Sequence, residues 1–219
     1  MGRKTLRQIK HNPTPKELFI SLMSSDGWFY KTKSLRKRFL IRDRALAATL
    51  YLGDFRISEV LPLTIENFEE LPGYLWVKDV KVAKKKKGVM EYREAKFPLK
   101  GERAPFTELV SEYLRMLNPG ERLFPWSLKV NVIKVGTYTV KGGQVRDRVS
   151  VQMVGTKRAW QIINALLPEY TQHWLRAFGY NYDYDNMDHD IMAVSDKTKA
   201  DPRSLQPYLR RRYEKYPVR

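Results

Sequence analysis

Two stretches of alternating β-branched and aromatic residues, each broken by a turn of lysine and glycine, set the strongest limit on the fold of this chain. The first runs from Tyr74 to Ala83, turns through Lys84-Lys85-Lys86-Lys87-Gly88 and returns over Val89 to Leu99. The second spans Val130 to Val154 around Lys141-Gly142-Gly143. Alternation turns one face of a strand inward, and a short glycine turn joins neighbouring strands antiparallel. Helical segments surround both hairpins. The order of helices, hairpin, helix, hairpin, helices predicts an α+β fold, mostly helical, with β-hairpins.

The helical segments carry their own boundary signals. Residues 1–13 read as a basic flexible arm ending at Asn12-Pro13, and 14–219 as one domain. Thr14, Pro15 and Glu17 have the spacing of a capping box with proline at the first helical position. Leu18, Ile20, Leu22 and Met23 follow as an apolar face. Ser34 to Phe39 reads as a short basic helix or turn, and Asp43 to Gly53 as a helix closed by glycine. A second helix starts at once at Arg56, with a further turn over Thr64 to Phe68. Phe106–Leu117, Thr156–Leu167, His173–Phe178, Ile191–Val194 and Ser204–Tyr213 supply the remaining helical pieces.

Charge narrows the function. Against 24 acidic residues stand 41 lysines and arginines, a formal net charge of +17 over 219 residues. Such a surplus favours a polyanion, above all nucleic acid, through phosphate contact and counterion release. The bland counterpart is a basic protein laced with surface ion pairs. An apolar fraction of 42% excludes a disordered basic tail. The chain has no cysteine, which removes a disulfide framework, a cysteine zinc site and a thiol nucleophile. No apolar run approaches the roughly 18 residues of a membrane span, and the basic first ten residues lack a signal's apolar stretch. An intracellular, cytoplasmic protein acting on nucleic acid is the expectation.

Four local features suggest chemistry. In Gly53-Asp54-Phe55-Arg56-Ile57-Ser58-Glu59, an arginine opens a helix directly after a tight turn, and Glu59 lies one turn on to orient it. The helix start would add partial positive charge. The Lys84–Lys87 run occupies a hairpin turn. His173 and Arg176 are three residues apart, so one helical face presents an imidazole and a guanidinium together. Tyr208 sits on a short basic helix near the C-terminus. Each feature alone has an ordinary structural explanation: a surface ion pair, a solvated charge patch, an exposed helix start, a packed ring.

Together they resemble the catalytic domain of the tyrosine recombinase (phage integrase) family. That family pairs a G-x-R-x-S-E helix start with a hairpin lysine, an H-x-x-R, a His or Trp nine residues before the nucleophile, and the nucleophilic tyrosine. The matching positions here are Gly53 to Glu59, His173, Arg176 and Tyr208, the last 32 residues beyond Arg176. Two departures stand out. Asp54-Phe55 occupies the place of a single residue, and Lys199 holds the position nine before Tyr208.

The resemblance implies DNA strand transfer without metal, ATP or other cofactor. Tyr208 would form a 3′-phosphotyrosyl intermediate, Arg56 and Arg176 would clamp the phosphate, and Glu59 would support Arg56. Lys86, with Lys84 as second choice, would protonate the leaving oxygen. His173 would accept the tyrosine proton, and Lys199 would support the phosphate. The implied partners are double-stranded DNA and further copies of the chain, four in a recombining complex, with no membrane. The family's N-terminal DNA-clamping domain has no counterpart in the 13 residues before the first helix, so the chain reads as a catalytic fragment or a minimal form. A non-catalytic DNA-binding protein on the same fold and a type IB topoisomerase-like activity remain alternatives. The acidic stretch Asp183 to Asp190 fails as a calcium loop, because Asp188 stands where that loop needs glycine and Val194 where it needs glutamate. It reads as an acidic loop, with a two-metal nuclease as the competing enzyme class.

Overall fold

A computed structural model describes residues 12–26, 33–82, 91–120, 122–124, 134–139, 145–150, 154–170 and 172–213, and the account that follows is confined to them. The helices are α1 (Pro15–Ser24), α2 (Lys33–Leu52), α3 (Ile57–Val60), α4 (Ala104–Leu114), α5 (Thr156–Leu166), α6 (Gln172–Asn186), α7 (Ile191–Thr198) and α8 (Pro202–Tyr213). The strands are β1 (Phe68–Leu71), β2 (Tyr74–Lys81), β3 (Tyr92–Pro98), β4 (Lys134–Thr139) and β5 (Val145–Ser150). This is the α+β, mostly helical architecture with hairpins that the patterning predicts.

Local chemistry explains several boundaries. The Thr14 hydroxyl accepts from the Glu17 N–H at 3.2 Å, and the Glu17 carboxylate accepts from the Thr14 N–H at 2.8 Å, completing the capping box. Asp190 caps α7 by accepting from the Met192 and Ala193 amides. The basic segment 34–39 and the helix beginning near Asp43 are one continuous helix, α2. Its last eight residues, Ala45 to Leu52, are all buried, enclosed by neighbouring elements that include α4 and α6.

β1, β2 and β3 form an antiparallel sheet in that order, and β4 pairs with β5. β1 falls next to the segment expected to be only a turn. In β2 a bulge between Val77 and Val80, with Asp79 at φ 58°, shifts the inward phase by one residue. Leu75, Val77 and Val80 thereby oppose Phe97, Ala95 and Arg93, and all six are buried. The bulge leaves Asp79 and Lys81 on the outside.

Two apolar clusters hold the described residues together. The larger joins α1 to α6 and the three-stranded sheet. The smaller gathers Tyr180, Val194, Ala200, Leu205 and Leu209, with Tyr208 packed at its edge. α6 contributes to both, Leu175 and Phe178 to the first and Tyr180 to the second.

Candidate active site

The site begins where α2 ends. The Phe55 amide donates to the Leu50 carbonyl and the Gly53 amide to Thr49, while Asp54 takes a left-handed φ of 52°. The Phe55 bond and the left-handed residue before it are those of a Schellman turn, with Asp54 where glycine is the common choice. Gly53 is needed for a different reason. A Cβ there would lie 2.1 Å from the Phe55 ring. Counted from the left-handed residue, one residue separates Asp54 from Arg56, which accounts for the apparent extra residue in the motif. α3 is a single turn of four residues, too short for the dipole expected there, so the local positive charge comes from side chains.

Those side chains converge on two acceptors. Glu59 is fully enclosed, and its Oε2 accepts from the Arg56 backbone amide at 2.8 Å and from Arg93 Nη2 at 2.8 Å. Its Oε1 accepts from Arg56 Nη1 at 2.9 Å. The Asp54 carbonyl accepts from Arg176 Nε at 2.9 Å and Arg93 Nη2 at 3.1 Å. Two guanidiniums thus share the Glu59 carboxylate, and the third, Arg176, is held by a backbone carbonyl beside them, so the cluster carries more positive than negative charge. Arg93 is 2% exposed and Arg56 is 26% exposed, so Arg56 can reach a ligand and Arg93 cannot. Burial, then the charges of Arg56 and Arg93, disfavour the charged form of Arg176, with Tyr180 and Glu59 acting against them.

α6 carries the rest. His173 lies one turn before Arg176, on an accessible face. Partial shielding of its ring, then the charges of Arg176 and Arg56, hold its pKa below the ordinary 6.5. The Arg176 guanidinium lies 4.9 Å from the centre of the Tyr180 ring, and the half-buried Tyr208 ring lies 5.8 Å from the same ring at 60°. Tyr180 itself is buried, and that burial pushes its phenol well above the usual range, which suits a spacer rather than a nucleophile.

Of the residues singled out from sequence, Arg56, Glu59, His173 and Arg176 form one electrostatic cluster, and Tyr208 joins it through Tyr180. Lys199 is exposed in a left-handed conformation at the C-cap of α7, and among the described residues no hydrogen bond or ring contact ties it to the arginines. Lys84 and Lys86 lie outside the described residues. Sequence reasoning missed Arg93 and Tyr180. Arg93 shares the inward phase of β3 with Ala95 and Phe97, a charged residue on a core-facing register. Tyr180 is four residues after Arg176 on the same helical face.

The acidic stretch is not a loop at its start. Asp183 lies within α6, nearly buried, accepting from Arg103 Nη1 at 3.0 Å and from Lys197. Asp190 is spent on its cap. Among the described residues no group of three or more His, Asp and Glu side chains is arranged to hold a metal. Nor is any described helix long and apolar enough to cross a membrane.

The same fold is found in the XerH site-specific recombinase. In its post-cleavage complex with palindromic difH substrate the match has a TM-score of 0.55 and 20% identity, covering 91% of this chain and 50% of that one. In the pre-cleavage complex with difH the TM-score is 0.52 at 20% identity, covering 97% and 55%. This chain therefore spans about half the length of the recombinase chains it matches. No protein-family model matches the sequence, and no curated protein matches it.

Proposed function

We propose that this chain carries the catalytic chemistry of a tyrosine recombinase, cutting and rejoining double-stranded DNA through a covalent protein–DNA link. The observation that carries the reading is the gathering of Arg56, Arg176 and His173 around the Asp54 turn, with Tyr208 packed one ring away. Arg56 and Arg176 are fixed donors for the non-bridging oxygens of a phosphate, whose negative charge grows as a fifth oxygen approaches phosphorus. Their positions are set before any substrate arrives.

In the proposed step, the Tyr208 oxygen bonds to phosphorus and the bond to the 5′-oxygen breaks. The tyrosine proton passes to His173, whose lowered pKa keeps it neutral and able to accept at pH 7. A lysine of the 84–87 run, Lys86 or Lys84, delivers a proton to the departing 5′-oxygen. The phosphoester is kept as a 3′-phosphotyrosine, so the step reverses without ATP, metal or other cofactor. Lys199 would add a hydrogen bond to the phosphate. Complete recombination would use four copies of the chain on DNA. The remaining positive charge would grip the duplex backbone without reading sequence.

A nicked suicide substrate tests this. Wild-type chain should accumulate a covalent adduct in EDTA, and Tyr208→Phe should bind the duplex but form none. Arg176→Ala should slow adduct formation about 10²–10³-fold, as loss of a preorganised transition-state donor does. Adduct at normal yield from Tyr208→Phe would sink the assignment. The detachment of Lys199 from the arginines favours a second reading, DNA binding without cleavage, and the absence of adduct in wild type would select it.

A further inference from the structure

Asp54 does two separate jobs. Its backbone carbonyl receives Arg176 and Arg93, while its carboxyl oxygens are buried against α6. The residue is fully enclosed. Its Oδ1 rests so close to α6 that a Cβ on Gly179 would lie 1.6 Å from it. One turn further along α6 is Asp183, near enough for the two carboxyl groups to act on each other. Two carboxylates have only acceptors, so a hydrogen bond between them requires a proton.

The neighbours decide where that proton sits. Arg103 and Lys197 both donate to Asp183. Neither oxygen of Asp54 receives a bond from any nitrogen or hydroxyl donor among the described residues. Tyr51 on α2 and Tyr180 on α6 also face this pocket, and burial raises both phenols, so they carry no charge near neutrality. Asp183 thus has both cations as donors, whereas their charges reach Asp54 without a bond and are outweighed there by burial and the Asp183 carboxylate.

We infer that Asp54 is a neutral acid at physiological pH, donating its proton to Asp183, and that this buried acid pair locks the turn that presents Arg56 and anchors Arg176. Burial and the Asp183 charge both act to raise the Asp54 pKa well above the carboxylate range. Burial acts to raise Asp183 as well, but Lys197 and Arg103 outweigh it and hold that group low. Like-charged neighbours in an enclosed site separate in this way. Asp54 is a positioning residue, and its proton belongs to the fold, so it stands whether or not cleavage is observed.

The sign of the pH effect follows. The native chain keeps a proton that the unfolded chain gives up above about pH 4, so this group's stabilisation fades as pH rises from there toward its raised native value. Asp54→Asn preserves shape, tolerates the left-handed backbone and donates to Asp183 through its amide without titrating. The full chain and this variant should be melted from pH 4 to pH 8. The variant should exceed wild type in melting temperature at pH 8, with the gap closing near pH 4. Calorimetry at pH 7 in buffers of different ionisation enthalpy should count one more proton released on unfolding of wild type than of the variant. Equal proton counts, or a variant weaker than wild type at pH 8 alone, would overturn the proposal. If the variant does not fold, wild type is enough: its infrared spectrum at pH 7 should contain the carbonyl stretch of a protonated carboxyl, and a spectrum without it overturns the proposal equally.

Discussion

Glu59 is the residue that holds Arg56, one of the groups proposed to receive a phosphate, and Arg93 braces Glu59 in turn. Its carboxylate is enclosed with two guanidiniums, and only Arg56 has access to a ligand. Arg93 also lies 4.4 Å from the Phe55 ring centre, so one side chain braces the turn, the strand and the carboxylate. Arg93→Met should leave Glu59 partly uncompensated and cost about 3–5 kcal/mol in urea unfolding, the usual result of breaking a buried pair from one side. Arg93→Lys should cost less, because charge is retained while the fork that reaches both acceptors is lost.

His173 belongs to the same scale. Its native pKa is depressed, so its contribution to stability is present above about pH 6.5 and is lost as pH falls through the native value. Under the proposed reaction, adduct formation should decline as pH falls through the lowered native value of His173, at more acid pH than for an unperturbed imidazole. Replacing the ring by glutamine should lower the rate and remove the acid limb. The measurement is the single-turnover rate of adduct formation against pH.

Among elements, α6 is the one whose sequence had to satisfy most neighbours. Gly179 lies where α6 crosses the Asp54 turn, its added Cβ meeting Asp54 Oδ1 at 1.6 Å and the Tyr51 carbonyl at 2.8 Å. Alanine usually improves a helix by nearly 1 kcal/mol over glycine. Gly179→Ala should instead destabilise the chain by at least the roughly 1–3 kcal/mol of an overpacked core. Adding Asp54→Gly should recover part of the loss, since it removes the nearer clash, and a double-mutant cycle in thermal melting measures this.

Features written in local chemistry were legible from sequence: the capping box at Thr14, the end of α2 near Gly53, though its left-handed cap is Asp54, and the H-x-x-R spacing on α6. Features settled by distant partners were not. Asp183 looks like part of an exposed acidic run until Arg103, 80 residues earlier, is placed against it. The β2 bulge interrupts a period-two pattern that otherwise continues, and Arg93 makes sense inside only once Glu59 is opposite. The first half of α2 is so basic that its polarity hides its continuity with the buried second half.

At the scale of the whole molecule, the arginines proposed to clamp a phosphate and the proposed nucleophilic tyrosine are built on different cores. Arg56, Glu59 and Arg93 are rooted in the large cluster, whereas Tyr208 rides at the edge of the small one shared by α6, α7 and α8. α6 spans the seam, with Leu175 and Phe178 in one core and Tyr180 in the other. Pro207, next to Tyr208, removes a helical donor inside α8 and leaves the Arg203 carbonyl without its usual partner.

The seam gives the chain two levels of cooperativity. A cluster with five buried residues among those described has far less burial to lose on opening than the main core. Amides of α7 and α8 should therefore exchange with solvent at a lower opening free energy than those of α2 and α4, and should do so together. Native-state hydrogen exchange at increasing denaturant would show two tiers, and a single tier would mean that the cores melt as one. The residue proposed to make a covalent bond would then belong to the unit that can detach without unfolding the rest, so that the nucleophile is held less tightly than the charges that receive it.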